Sequence, residues 1–177
     1  QAVGLARDHG VRLLPSPGYR RNLGLARLRD HAVMGLQFWR QALREGQRPD
    51  VIWCSYPPIE TALAAVRVGR RLGVPVALDI RDLWPDVFLD VLPSWARPLG
   101  RVALGPYFWA SRHALAAAAG LVGVSQSYLD WGLRRAGRPA SALDCHFAMG
   151  YPDFAIPDAA MRDAHAFWRE QGIDAAH

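Results

Sequence analysis

Residues 50–80 constrain the fold of this chain more than any other stretch. Asp50-Val-Ile-Trp-Cys-Ser55 is a short apolar run of β-branched and aromatic residues bounded by Pro49 and Pro57, the pattern of a buried strand. Pro57 and Pro58 suit the first turn of a helix, where a missing N–H costs nothing. Ile59, Ala62, Leu63, Val66 and Gly69 then recur at helical spacing, with Glu60, Arg67, Arg70 and Arg71 falling mostly on the opposite face. Gly73 fits a left-handed helix stop, and Val74-Pro-Val-Ala-Leu78 resumes an apolar strand. Strand, helix and strand at this length make one right-handed βαβ crossover.

The alternation continues on both sides. A helical stretch between Trp95 and Ala119, which Pro98 and Pro106 divide, leads to the apolar Gly120-Leu-Val-Gly-Val-Ser125. Ser127 with Asp130 reads as a capping box for a helix that stops at Gly137, followed by a weaker strand over Ala142–Ala148. Towards the start, Val11-Arg-Leu-Leu14 reads as one more strand before a long amphipathic helix from Leu25 to about Gly46. The expected class is α/β: a Rossmann-like, doubly wound, mostly parallel sheet with helices on both faces.

Leu78-Asp-Ile-Arg-Asp-Leu-Trp-Pro-Asp86 places Asp79, Arg81, Asp82 and Asp86 where the second strand of that crossover gives way to a loop. In open α/β sheets the carboxyl ends of the strands are where ligands bind. Strand alternation puts Asp79 and Arg81 on one face, Ile80 and Asp82 on the other. Trp84 is expected to form a flat apolar wall. Ser55 and Tyr56 end one strand and Ser125 another, so all three are expected on the same rim. The bland readings are salt bridges for Asp79 and Arg81, and helix capping for Asp86 and the serines.

Composition narrows the class of partner. The net charge of +5 comes entirely from arginine, since the chain has no lysine, and a GC-rich genome explains such usage. The arginines are spread over several helices without a nucleic-acid recognition motif, which argues against nucleic acid. Cys54 and Cys145 are isolated and read as reduced thiols, and the six histidines show no metal-ligand spacing. No apolar run is long enough to span a bilayer. Trp39, Trp95, Tyr107, Phe108 and Trp109, with Arg97, Arg101 and Arg112, allow either packing on the sheet or contact with a membrane surface. Gly123-Val-Ser-Gln-Ser127 lacks the last glycine of a hydrolase nucleophile elbow, which makes a hydrolase a poor second enzyme reading.

Pro49-Asp-Val-Ile-Trp-Cys-Ser-Tyr-Pro-Pro58, Val74-Pro-Val-Ala-Leu-Asp-Ile-Arg-Asp-Leu-Trp-Pro-Asp86 and Gly123-Val-Ser-Gln-Ser127 together resemble glycosyltransferase family 4, in the branch similar to the colanic-acid and O-antigen transferases. Tyr19, Asn22 and Arg27 resemble the same branch, and Phe147-Ala-Met-Gly-Tyr-Pro152 resembles the join between the two halves of a GT-B enzyme. The resemblance implies an incomplete N-terminal, acceptor-side domain over 1–149 without the family's first strand and glycine-rich turn. Residues 150–177 would then be a linker helix leading to a donor-binding domain, and the piece alone is expected to be inactive.

The implied activity is transfer of a sugar, of hexosyl type and with retention, from a nucleotide-sugar donor to a lipid-linked or saccharide acceptor in surface polysaccharide synthesis. No metal or other cofactor is expected. The implied place is the cytoplasm or the inner face of the cytoplasmic membrane, on a polyprenyl-linked or saccharide acceptor. Asp82 and Arg81 are the catalytic candidates, and Ser55, Tyr56, Trp84, Ser125, Tyr19, Arg20 and Asn22 the substrate-binding ones. Arg81 stands where many members carry a histidine. That leaves open whether it binds a sugar hydroxyl, binds the diphosphate, or only pairs with Asp79 or Asp82. The alternative from another class is a non-catalytic module of the same fold that holds a glycan or lipid head group.

Overall fold

A computed structural model describes residues 10–20, 24–45, 48–150 and 157–172. In chain order the elements are α1 (Leu25–Arg44), β1 (Ile52–Tyr56), α2 (Ile59–Leu72), β2 (Val76–Ile80), a short α3 (Val87–Asp90) and a 3₁₀ turn (Ser94–Ala96). They continue with α4 (Arg97–Ala103), α5 (Gly105–Ala117), β3 (Gly120–Gly123), α6 (Gln126–Ala136), β4 (Cys145–His146) and α7 (Asp158–Glu170). The central crossover forms, but its prolines stand before α2 and not in the helix's first turn as expected. Pro58 sits in extended conformation at the N-cap of α2, and Gly73 closes that helix at φ 65° and ψ 37°, a left-handed geometry that glycine adopts without a Cβ clash.

The four strands are all parallel and lie side by side in sequence order, β1-β2-β3-β4. Register pairs Cys54 with Leu78 and Leu78 with Leu121, while Ser55, Asp79, Val122 and Cys145 form the next row. An order that never reverses, built from right-handed crossovers, puts successive connecting helices on the same side of a sheet. The core bears this out. Cys54, Tyr56, Leu78, Ile80 and Leu121 pack against Ala62, Ala65 and Val66 of α2, Ala114 and Leu115 of α5, and Leu129 of α6. The α/β class and the parallel Rossmann-like sheet are as expected. Among the described residues the helices do not cover both faces: on the other side Trp53 of β1 is 57% exposed and Ser55 is exposed too.

Three further expectations need correction. Val11–Leu14 is not a strand; Val11 and Leu13 are 64% and 89% exposed, so this apolar run finds no sheet neighbour. The capping box of α6 does not form. Ser125 takes the N-cap position without a side-chain cap, Ser127 Oγ bonds Ser125 Oγ at 2.9 Å, and Asp130 Oδ1 accepts from Gln126 Nε2 at 2.7 Å. The strand expected over Ala142–Ala148 contracts to Cys145–His146, because the segment before it is drawn into a turn around Asp144. The proline breaks act as expected, with Pro98 and Pro106 in the first turns of α4 and α5. Gly137 ends α6 at φ 70°.

Candidate functional site

Asp82 lies two residues beyond the carboxyl end of β2, half-buried on the rim. One carboxylate oxygen accepts the Leu83 N–H at 2.8 Å and the other the indole N–H of Trp84 at 2.9 Å. Each oxygen can accept a second bond, so the group is fixed in orientation without being saturated. The loop that follows β2 thus turns its own backbone and an indole back onto the carboxylate.

That turn also explains where Trp84 goes. It is 3% exposed, with Phe88 edge-on at 4.7 Å, His31 at 5.6 Å and the Arg27 guanidinium 4.5 Å from its ring centre. Trp84 is therefore a core residue that holds Asp82, not the exposed apolar wall expected for ligand contact. Tyr56 needs the same correction. Alternation along β1 sends Cys54 and Tyr56 inward and Trp53 and Ser55 outward. Tyr56 is fully buried, its hydroxyl donating to the Trp84 carbonyl at 2.6 Å and bonded to Ser111 Oγ at 2.8 Å. Burial holds its hydroxyl above the ordinary tyrosine range, so it stays protonated. The same burial pushes the Cys54 thiol up to about 11, which keeps it unreactive.

Asp79 and Arg81 share a face, as alternation requires. Arg81 Nε donates to Asp79 Oδ2 at 2.7 Å, and the backbone N–H of Arg81 extends the β1–β2 ladder to the Tyr56 carbonyl at 2.8 Å. The Asp79 side chain is 6% exposed and that of Arg81 61%, so the pair puts a tethered guanidinium at the surface above a covered carboxylate. Arg81 pairs with Asp79 and not with Asp82. Ser55 is exposed next to Asp79 in the register, and Ser125 is half-buried at the head of α6.

The loop before α1 reaches the same neighbourhood. The Gly18 N–H donates to Asp30 Oδ1 at 2.7 Å, and the 40%-exposed Tyr19 lies edge-on to His31 at 6.1 Å and 5.6 Å from the Arg27 guanidinium. His31 and Arg27 both touch Trp84, so Tyr19 and Asp82 share a common support. Arg20 is exposed beside Tyr19, and Asn22 lies outside the described residues.

Two features of this region were not anticipated. His31 is 4% exposed, with burial as the main cause of its lowered pKa, and its Nδ1 is 4.0 Å from Glu60 Oε2. Glu60, assigned by periodicity to the outer face of α2, instead accepts the Tyr107 hydroxyl of α5 at 2.8 Å. The signal for His31 was its place four residues after Arg27, on one stripe of α1. Asp86 occupies the N-cap of α3 without capping it. Its carboxylate accepts the Trp131 indole N–H at 2.9 Å and pairs with Arg135, so it ties the rim loop to α6.

Among the described residues no group of three or more His, Cys, Asp or Glu side chains could hold a metal ion, and no helix is long and apolar enough to cross a membrane. No match was found among curated proteins. The family comparison is specific: the glycosyl transferase 4-like domain matches residues 2–145, which include β1 to the start of β4, the Asp82 loop and the Tyr19 segment. A parallel Rossmann-like sheet, a fixed carboxylate at its carboxyl edge and that match converge, and the chain belongs to the glycosyl transferase 4-like family, as a domain of a glycosyltransferase.

Proposed function

We propose that this chain is the acceptor-side half of a GT-B enzyme of the surface-polysaccharide branch. Residues 1–149 form that half and 150–177 lead to a donor-binding domain. The enzyme moves a hexosyl-type sugar from a nucleotide-sugar donor to a lipid-linked or saccharide acceptor with retention of configuration, and no metal takes part. The observation that carries this reading is the Asp82 carboxylate, held by two N–H donors at the carboxyl edge with acceptor capacity on each oxygen.

Glycosyl transfer breaks the bond between the anomeric carbon and the leaving phosphate and joins that carbon to an acceptor oxygen. Positive charge grows on the sugar ring and negative charge on the phosphate, and the acceptor hydroxyl gives up its proton. In a retaining reaction the leaving phosphate takes that proton, and Asp82 aligns the hydroxyl by accepting its hydrogen bond. Alignment of this kind contributes about 10²–10⁴ in rate. Arg81, tethered by Asp79 and exposed, lies two strand positions from the Asp79 row and offers its guanidinium to a sugar hydroxyl or diphosphate. Tyr19, Arg20, Ser55 and Ser125 border the approach to the rim.

The polyprenyl-linked acceptor places the enzyme at the inner face of the cytoplasmic membrane. Support comes from Val91, Trp95, Leu99 and Val102, each more than 70% exposed around α4. The test is Asp82→Asn in the enzyme carrying both halves, assayed for sugar transfer from a panel of nucleotide sugars. The expected result is a fall in kcat of about 10²-fold or more with little change in donor KM. Turnover equal to wild type removes the assigned role.

A further inference from the structure

α5 and α6, with α3 and the loop before it, line an open groove of about 760 Å³ that does not include Asp82 but takes in Leu83 and Asp86 of the same loop. Its floor is aromatic: Phe108 and Trp109 come from α5 and Trp131 from α6. Its charge comes from Arg112, Arg134 and Arg135 against Asp86 and Asp90. Asp86 is already engaged by Arg135, whose guanidinium also lies 4.7 Å from the centre of the Phe108 ring. Arg112 and Arg134 have no hydrogen-bond or ion-pair partner among the described residues, and both flank Gly137 at the end of α6. Arginine's fork of N–H donors suits phosphate oxygens, and two unpaired forks over an aromatic floor are a receptive site for one.

The ground next to this groove says where the phosphate comes from. Trp95, Leu99 and Val102 recur at i, i+4 and i+7 along the 3₁₀ turn and α4, so they form one stripe. They are 81%, 71% and 77% exposed, and the groove's own Trp109 is 53% exposed. Gly100 faces the other way, against Leu89 and Leu92, so the stripe points away from the protein. Arg97 and Arg101 lie on the same short helix, off the stripe. An outward apolar stripe with arginines beside it is the composition of an element lying in a bilayer interface. A soluble phosphate ester would leave that stripe in water.

We infer that the α5–α6 groove binds the phosphate head group of an anionic membrane phospholipid, with Arg112 and Arg134 as its ligands, while the Trp95–Val102 stripe enters the leaflet beside it. The inference deepens the membrane reading above and is independent of Asp82. Each arginine near an anionic surface contributes about 1 kcal/mol, so losing two corresponds to binding about 10- to 30-fold weaker.

The test is flotation of the chain with vesicles of phosphatidylcholine alone, or with about a third phosphatidylglycerol. Arg112→Gln/Arg134→Gln is compared with Arg70→Gln/Arg71→Gln, an equal charge loss in the exposed last turn of α2. Thermal melting confirms that both variants stay folded. Expected is binding to the anionic vesicles only, weakened about 10- to 30-fold by the groove variant and less than about threefold by the α2 variant. If the two variants weaken binding equally, the groove assignment falls while the membrane reading stands. If the wild-type chain ignores anionic vesicles, both fall. If inorganic phosphate binds the groove with a micromolar dissociation constant while the groove variant floats with anionic vesicles as the wild type does, the site is for a soluble anion and the lipid assignment is wrong.

Discussion

Asp144 shows at the residue scale how much one carboxylate can organise. Its oxygens accept two bonds from the Arg138 guanidinium at 2.7 and 2.8 Å, the Leu121 and Ser141 N–H groups at 2.8 and 2.7 Å, and Ser141 Oγ at 2.9 Å. Its side chain is fully covered, and the Arg138 bonds hold its carboxyl well below the ordinary aspartate range. Asp144→Asn turns an amide towards donors and leaves Arg138 unpaired, so urea unfolding near pH 7 is expected to show a loss of about 3 kcal/mol. A lowered native pKa means that this stabilisation is complete above the unfolded pKa of about 4 and is lost as pH falls below it. The gap between wild type and variant should therefore narrow from pH 4 downwards. A gap that stays constant to pH 2 would show that Asp144 acts by shape and not by charge.

Within α2 the informative residue is Gly69, which packs so closely on β2 that an added Cβ would lie 2.7 Å from the Val74 carbonyl oxygen and against the Val76 side chain. Replacing glycine with alanine inside a helix ordinarily stabilises by about 1 kcal/mol. Here a rigid backbone oxygen blocks the methyl, and Gly69→Ala is expected to destabilise by about 1–3 kcal/mol in thermal or urea unfolding. An increase in stability would mean that α2 rides higher on the sheet than described.

The elements with strong punctuation were legible from sequence: α2 between Pro58 and Gly73, α4 and α5 parted at Pro106, α6 up to its stop at Gly137, and the rim position of Asp82. What sequence could not give was direction. Trp84 and Tyr56 carry the composition of binding residues, but the turn after Asp82 and the pleat of β1 send both inward. Glu60 has the periodicity of a solvated residue, yet α5 arrives from 47 positions away with Tyr107 to cover it. Such misses follow from partners that local pattern does not encode.

For the whole molecule, winding in one direction sets where stability resides. β2 and β3 have neighbours on both edges and bury nearly every residue, whereas every described side chain of α7 is exposed. Protection against hydrogen exchange tracks burial and cooperative contact. Native-state exchange is expected to be slowest in Val76–Ile80 and Leu121–Gly123 and fastest in α7, by several orders of magnitude. Comparable protection in α7 would mean that it docks on the domain in solution.

Trp84 joins two duties in a single ring, its face packed within the core and its nitrogen gripping the carboxylate at the rim. A carboxylate moored to the hydrophobic interior has little freedom to swing, and under the role proposed for it this fixes the direction from which an acceptor hydroxyl must come. On the same proposal, retuning towards new acceptors acts through the bordering segment around Tyr19 and leaves the moored carboxylate in place.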